Sequence, residues 1–103
     1  MSENEHVFKI GQLVCSKCGR DRGNFYLVFE IIDDKFVYLV DGNKRRMENP
    51  KRKNVKHLRG FPEVAEELAD KWESGKPVPN SEVRRVIASL KKPYVSKDSD
   101  VRG

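Results

Sequence analysis

Between positions 44 and 59 stand eight lysines and arginines, Lys44, Arg45, Arg46, Lys51, Arg52, Lys53, Lys56 and Arg59, with Glu48 as the one acid among them. That stretch carries about +7, while the whole chain of 103 residues is only +5, so the remainder is slightly acidic. Positive charge concentrated in this way on a small fold is the electrostatic signature of a nucleic-acid surface. A merely solvated charged face is the plainer alternative, but such a face mixes its signs and this one hardly does. His57, flanked by Lys56 and Leu58, fits a phosphate or RNA contact better than a general base. A second basic group, Lys17, Arg20 and Arg22, shares a short segment with Gly19 and Gly23. Glycines let backbone approach a phosphate closely, and the arginines bring charge to the same place. Gly23 also serves as a simple turn residue, and the two roles are compatible.

Other chemistry finds less support. Cys15-Ser16-Lys17-Cys18 has the spacing of half a zinc site, but a structural zinc needs four ligands. There is no second cysteine pair, and His6 and His57 lie far off in sequence. A redox pair of the thioredoxin kind would open a helix, whereas this one closes a strand. Cys15 is expected as a small core residue and Cys18 at a loop edge. No serine stands in a motif with a histidine, and the Gly19–Gly23 segment lacks the GxxxxGK[ST] pattern of a phosphate-binding loop. No cofactor, no metal and no enzymatic activity are expected. Phe25, Phe29 and Phe36 could stack bases, but core positions suit them better.

The elements that must carry these residues follow from the hydrophobic pattern. Gln12 to Ser16 is predicted as a short strand, Phe25 to Ile32 as a long one and Phe36 to Val40 as its hairpin partner across Asp33-Asp34. The two longer runs are apolar at almost every position, so both faces should be covered. Lys44–Glu48 and Asn54–Leu58 are weaker strand candidates, separated by Asn49-Pro50. After residue 59 the period changes. Pro62 suits a first helical turn, Val64, Leu68 and Trp72 form a stripe with Ala65 and Ala69, and Gly75 ends it. A second helix, capped by Asn80 or Ser81, presents Val83, Val86, Ile87 and Leu90 and stops at Pro93. Residues 1–6 and 93–103 are polar and expected to be loose. The acidic opening has no apolar stretch and no run is long enough for a membrane span, which predicts a cytoplasmic protein with reduced thiols.

Taken together, Ile10-Gly11-Gln12-Leu13-Val14, Gly19-Arg20-Asp21-Arg22-Gly23, the strand ending Ile32-Asp33-Asp34, then Asp41-Gly42, Arg45-Arg46 and Asn49-Pro50-Lys51-Arg52-Lys53-Asn54-Val55-Lys56-His57-Leu58 resemble the KOW motif. The chain is similar over about residues 7–59 to bacterial KOW-domain RNA-binding proteins akin to a large-subunit ribosomal protein family of archaea and eukaryotes. Asn80-Ser81-Glu82-Val83-Arg84 resembles the C-terminal part of such proteins, and Cys18 departs from them where a small residue is usual. The resemblance implies a mainly β fold with a small SH3-like (KOW) barrel over 7–59, to which the hydrophobic pattern adds a helical extension over 60–92, packed on the barrel, and a tail from 93 to 103. It implies a non-enzymatic partner of RNA, usually ribosomal RNA; a monomer is expected when the chain is free. The motif loop and basic segment would make the contact, here Arg20, Arg22 and Gly23, with Lys51, Arg52, Lys53, Lys56 and His57. Lys17, Lys44, Arg45, Arg46 and Arg59 join them on charge alone. The rival expectation is a protein-interaction module of the transcription or translation machinery, using the exposed side of the helices.

Overall fold

A computed structural model describes residues 8–95 of the chain. The expectations for residues 1–6 and 96–103 lie outside the described residues. Five strands, β1 (Gln12–Ser16), β2 (Phe25–Ile31), β3 (Phe36–Val40), β4 (Lys51–Asn54) and β5 (Leu58–Val64), form one antiparallel sheet in the order β4-β3-β2-β1-β5. Helices α1 (Glu66–Glu73) and α2 (Asn80–Leu90) follow. The fold is mainly β as expected. Strands β4 and β5 are the sheet's two edges and do not pair, so the sheet is not closed by backbone bonds. A single 3-10 turn, Val55–His57, joins them.

Alternation along the strands sorts the apolar residues into two clusters, because successive side chains point to opposite faces. Leu13, Leu27 and Val40 face the helices, where they pack with Phe61, Ala65, Leu68, Val78, Val83 and Ile87. Val14, Tyr26, Val28, Val37, Leu39 and Leu58 face the other way and bury one another. The buried residues of α1 and α2 all belong to the first cluster, so the sheet must curl about the second. Both faces of β2 and β3 are therefore covered, as their continuous apolar runs require. Leu68, fully buried, anchors α1. Trp72, the last residue of the predicted stripe, is only half-buried, with its ring edge-on to Phe29 at 5.2 Å. Its indole N–H is buried without a partner among the described residues.

The turns are held by side chains suited to them. Asp33 Oδ1 accepts the N–H groups of Lys35 and Phe36 at 2.8 and 2.9 Å, closing the β2–β3 hairpin. Those backbone donors hold its carboxyl below the ordinary range. Helix α1 ends in paired bonds, Gly75 N–H to Trp72 O at 3.2 Å and Lys76 N–H to Lys71 O at 2.8 Å, the Schellman arrangement.

Several expectations from sequence need correction. Lys44–Glu48 is a loop and not a strand: its charged residues bury little, and its backbone is bent by Asp41, whose Oδ1 accepts the N–H groups of Asn43 and Arg45, both at 2.8 Å. The expected Asn54–Leu58 strand is replaced by the end of β4, the 3-10 turn and the start of β5. Strand β5 continues past residue 59 to Val64, and Pro62 lies inside it. Proline is tolerated there because β5 is an edge strand and its pairing with β1 is irregular between Gln12 and Val14. The first helix consequently starts only at Glu66. Asn80 does not cap α2 but is its first residue, with Pro79 at the cap position. The Asn80 side chain instead reaches the 41–50 loop, accepting from Met47 N–H at 2.7 Å and donating to Glu48 at 3.0 Å. Tyr94, placed in the expected tail, packs its ring 4.2 Å from Phe61 and donates to Glu63 at 2.7 Å.

Candidate nucleic-acid interface

The loop between β1 and β2 is built from turns that its glycines permit. Gly19 and Gly23 both take φ +91°, a conformation that side chains disfavour. Backbone bonds from Arg22 N–H to Gly19 O, Asn24 N–H to Asp21 O and Gly23 N–H to Ser16 O fix its course. Lys17, Arg20 and Arg22 are left on the outside, while Asp21 turns inward.

Asp21 is a hub that the sequence reading missed. Its Oδ1 accepts from the Ser16 hydroxyl at 2.8 Å and from Lys53 Nζ at 3.0 Å, and its Oδ2 accepts from the Tyr26 hydroxyl at 3.1 Å. Lys51 Nζ stands 3.9 Å away. Burial works against ionisation of this carboxyl, but the hydrogen bonds from Ser16, Lys53 and Tyr26 outweigh it and hold the group below its ordinary range. Tyr26 is pushed up to about 12, by burial first and by the neighbouring carboxylate next. Ser16, the one buried polar residue among the described residues, is 2% exposed and so depends on Asp21 and Cys18 O for its partners.

Alternation along β4 divides the Lys-Arg-Lys run. Lys51 and Lys53 pair in register with Leu39 and Val37, so they share the face of the second cluster. Their stems lie along it and their ammonium groups reach Asp21. The Lys53 side chain is only 11% exposed, so this residue, expected as an RNA contact, is mostly enclosed. Arg52 points the other way and is exposed, with its guanidinium 3.9 Å from the Phe36 ring centroid. The 3-10 turn follows, capped by Asn54, which accepts from Lys56 N–H at 3.0 Å. Lys56 is exposed and His57 half-buried. The His57 carbonyl accepts from Lys17 N–H at 2.8 Å, and Lys53 Nζ contacts Cys18 O at 3.4 Å. The glycine loop, β4 and the 3-10 turn are thus directly joined.

The rest of the basic block is spread more widely. Arg59 is exposed on β5, 5.1 Å from the Phe61 ring centroid. In the 41–50 loop Lys44 is exposed and Arg45 half-buried, and Arg46 is occupied with Glu48 at 3.2 Å. Among the described residues no carboxylate forms an ion pair with Lys17, Arg20, Arg22, Lys44, Arg45, Arg52, Lys56 or Arg59. Cys15 is half-buried against the first cluster, where burial pushes its thiol up, and Cys18 is exposed. Phe25, Phe29 and Phe36 are each half-buried and engaged with Phe61, Trp72 and Arg52 respectively.

Lys44 and Gly23 line a cleft of about 320 Å³ together with Arg84 and Ala88 of α2 and Lys91 just past its end. Arg84 reaches back through Nη1 to Gly42 O at 2.7 Å. The helix can come this close because residue 42 is glycine: a Cβ there would collide with the Asn80 carbonyl. Arg84, Ala88 and Lys91 lie at i, i+4 and i+7, a signal present in the sequence but overshadowed by the apolar stripe of the same helix. No protein-family model matches the chain, and no curated protein is similar to it at a significant level.

Proposed function

We propose that this chain is a non-enzymatic RNA-binding protein whose sheet is an SH3-like (KOW) barrel and whose partner is ribosomal RNA. The observation that carries the proposal is the set of cations that have no carboxylate partner among the described residues, on the loops, the 3-10 turn and the two edge strands, Lys17, Arg20, Arg22, Lys44, Arg45, Arg52, Lys56 and Arg59. Exposed charge of one sign meets its counter-ion on a partner, and an array of phosphates is the partner that supplies many. Arginines fork onto phosphates, lysines act as point charges, and Gly23 leaves the loop backbone open to close approach. Strand order, a 3-10 turn between the two edge strands and the Asp21 link from β4 to the β1–β2 loop support the SH3-like reading. Lys51 and Lys53 act mainly as struts in this proposal, with RNA contact shifted to their neighbours. A cytoplasmic monomer is part of the same reading; no helix among the described residues is long and apolar enough to cross a membrane.

A second reading, a protein-interaction module, draws on the groove beside α1. Its lining includes apolar Phe8, Ile10, Ile31 and Val64 and acidic Glu66, Asp70 and Glu73. Salt titration of binding to ribosomal RNA fragments separates the two. Wild-type affinity should fall steeply with salt, and Arg20→Ala, Arg22→Ala and Arg52→Ala should each flatten the slope by about 0.7–0.9. Absence of RNA binding at low salt would remove the first reading and leave the second.

A further inference from the structure

We propose that the cleft between the β1–β2 loop and α2 receives one unpaired nucleotide of the bound RNA. This inference rests on the RNA-binding reading and adds to it the structural class of RNA preferred. The cleft, about 320 Å³, is at the small end of ligand-sized sites and suits a single nucleotide. Its walls are chemically divided in the way a nucleotide is. Phe25, Ile87 and Ala88 give an apolar surface against which a base can lie, Asn24 and Asn43 offer amide groups, and Lys44, Arg84 and Lys91 bring three positive charges to the same cleft.

The aromatic wall is firmly placed. Phe25 stacks on Phe61 at 5.6 Å with an interplanar angle of 25°, and Phe61 packs in turn against Tyr94 at 4.2 Å. Lys91 Nζ lies 5.6 Å from the Phe25 ring centroid, so a base against Phe25 would have this ammonium beside its own phosphate. Arg84 is fixed by its bond to Gly42 O through one nitrogen, which leaves the rest of its guanidinium to donate. The one carboxylate in the wall, Asp41, is engaged by the N–H groups of Asn43 and Arg45. A paired base inside a duplex cannot enter such a cleft; a bulged or looped nucleotide can, and unpaired nucleotides are what proteins read in RNA. Gly23 stands at the junction of the cleft and the basic loop, with no atom within 4 Å of where a Cβ would be, so the phosphate backbone can pass from one to the other.

Two hairpin RNAs, identical except for a single-nucleotide bulge in one stem, test the proposal by fluorescence anisotropy at fixed salt. The bulged RNA should bind about tenfold more tightly. Ala88→Trp, at an exposed helix position, should fill the cleft and abolish this preference while duplex affinity stays within about twofold. In wild-type protein, 2-aminopurine at the bulge should change its emission on binding, a readout independent of any variant. Equal binding of the two RNAs, or a bulge signal unmoved by the protein, would overturn the nucleotide cleft and leave general RNA binding intact. Failure to bind either RNA would overturn both.

Discussion

Replacing Asp21 by alanine should cost stability without costing RNA affinity. The carboxylate holds Lys53 at 3.0 Å, in a side chain only 11% exposed, and the hydroxyl of Tyr26 at 3.1 Å. Ser16 loses one acceptor but keeps Cys18 O at 3.0 Å. Stranding one nearly buried ammonium and one buried hydroxyl at about 1–2 kcal/mol each gives a loss of about 3 kcal/mol. For a domain of this size the melting temperature should fall by more than about 10 °C. Asp21→Asn retains an acceptor oxygen but not the charge, and should cost about 1 kcal/mol. The pH dependence has a definite sign. The folded-state value is depressed, so the carboxylate's contribution is complete above the unfolded value of about 3.9 and is lost as pH falls through the lower folded value. The gap between wild type and Asp21→Asn should be full at neutral pH and close in acid. Meanwhile the surface loses a negative charge beside Lys51 and Lys53, so RNA affinity at low salt should hold or rise. Differential scanning calorimetry across pH and an RNA titration measure all of this. An Asp21→Ala protein that melts with the wild type, or a gap indifferent to pH, would refute the hub.

Two glycines of similar backbone geometry should respond differently. Gly42→Ala forces a Cβ against the Asn80 carbonyl and Arg84, so it should destabilise strongly and loosen α2. Gly23→Ala meets no atom within 4 Å and should cost about 1 kcal/mol of backbone strain, with a larger relative fall in RNA binding; thermal melts and anisotropy distinguish the two. In α1, Leu68→Ala should cost about 2–5 kcal/mol by chemical denaturation. Trp72→Phe, which removes an unpartnered N–H and keeps a ring for Phe29, should cost less than about 1 kcal/mol.

Strands β1, β2 and β3 were legible because their apolar residues declare themselves, and covered faces on β2 and β3 followed from the same runs. Strand β4 was not legible. Lys51-Arg52-Lys53-Asn54 contains no apolar residue, and its extended form depends on pairing with β3. Pro62 was misread because local sequence cannot distinguish a proline at a first helical turn from one in an irregular edge strand. At the candidate site, charge density points to whole segments, and only the fold reveals which of their charges are spoken for. The partner of Lys53 lies 32 positions away, and no spacing rule links them. Asn80 shows the same limit: a residue type favoured at helix starts was used to tether a distant loop.

The open edges of the sheet have a consequence for solution behaviour. An unpaired strand offers its backbone to any other strand, including that of a second copy, and so invites polymerisation. Here β4 presents Lys51, Arg52 and Lys53, and β5 presents Arg59 and Pro62. Two β4 edges brought to the sheet spacing of about 4.8 Å would press like charges together. The cations of the two edge strands, struts and proposed RNA contacts alike, therefore also act as a colloidal guard. Polyanions at sub-stoichiometric levels, by neutralising that guard, should be the condition under which the protein clouds, and excess polyanion the condition under which it clears.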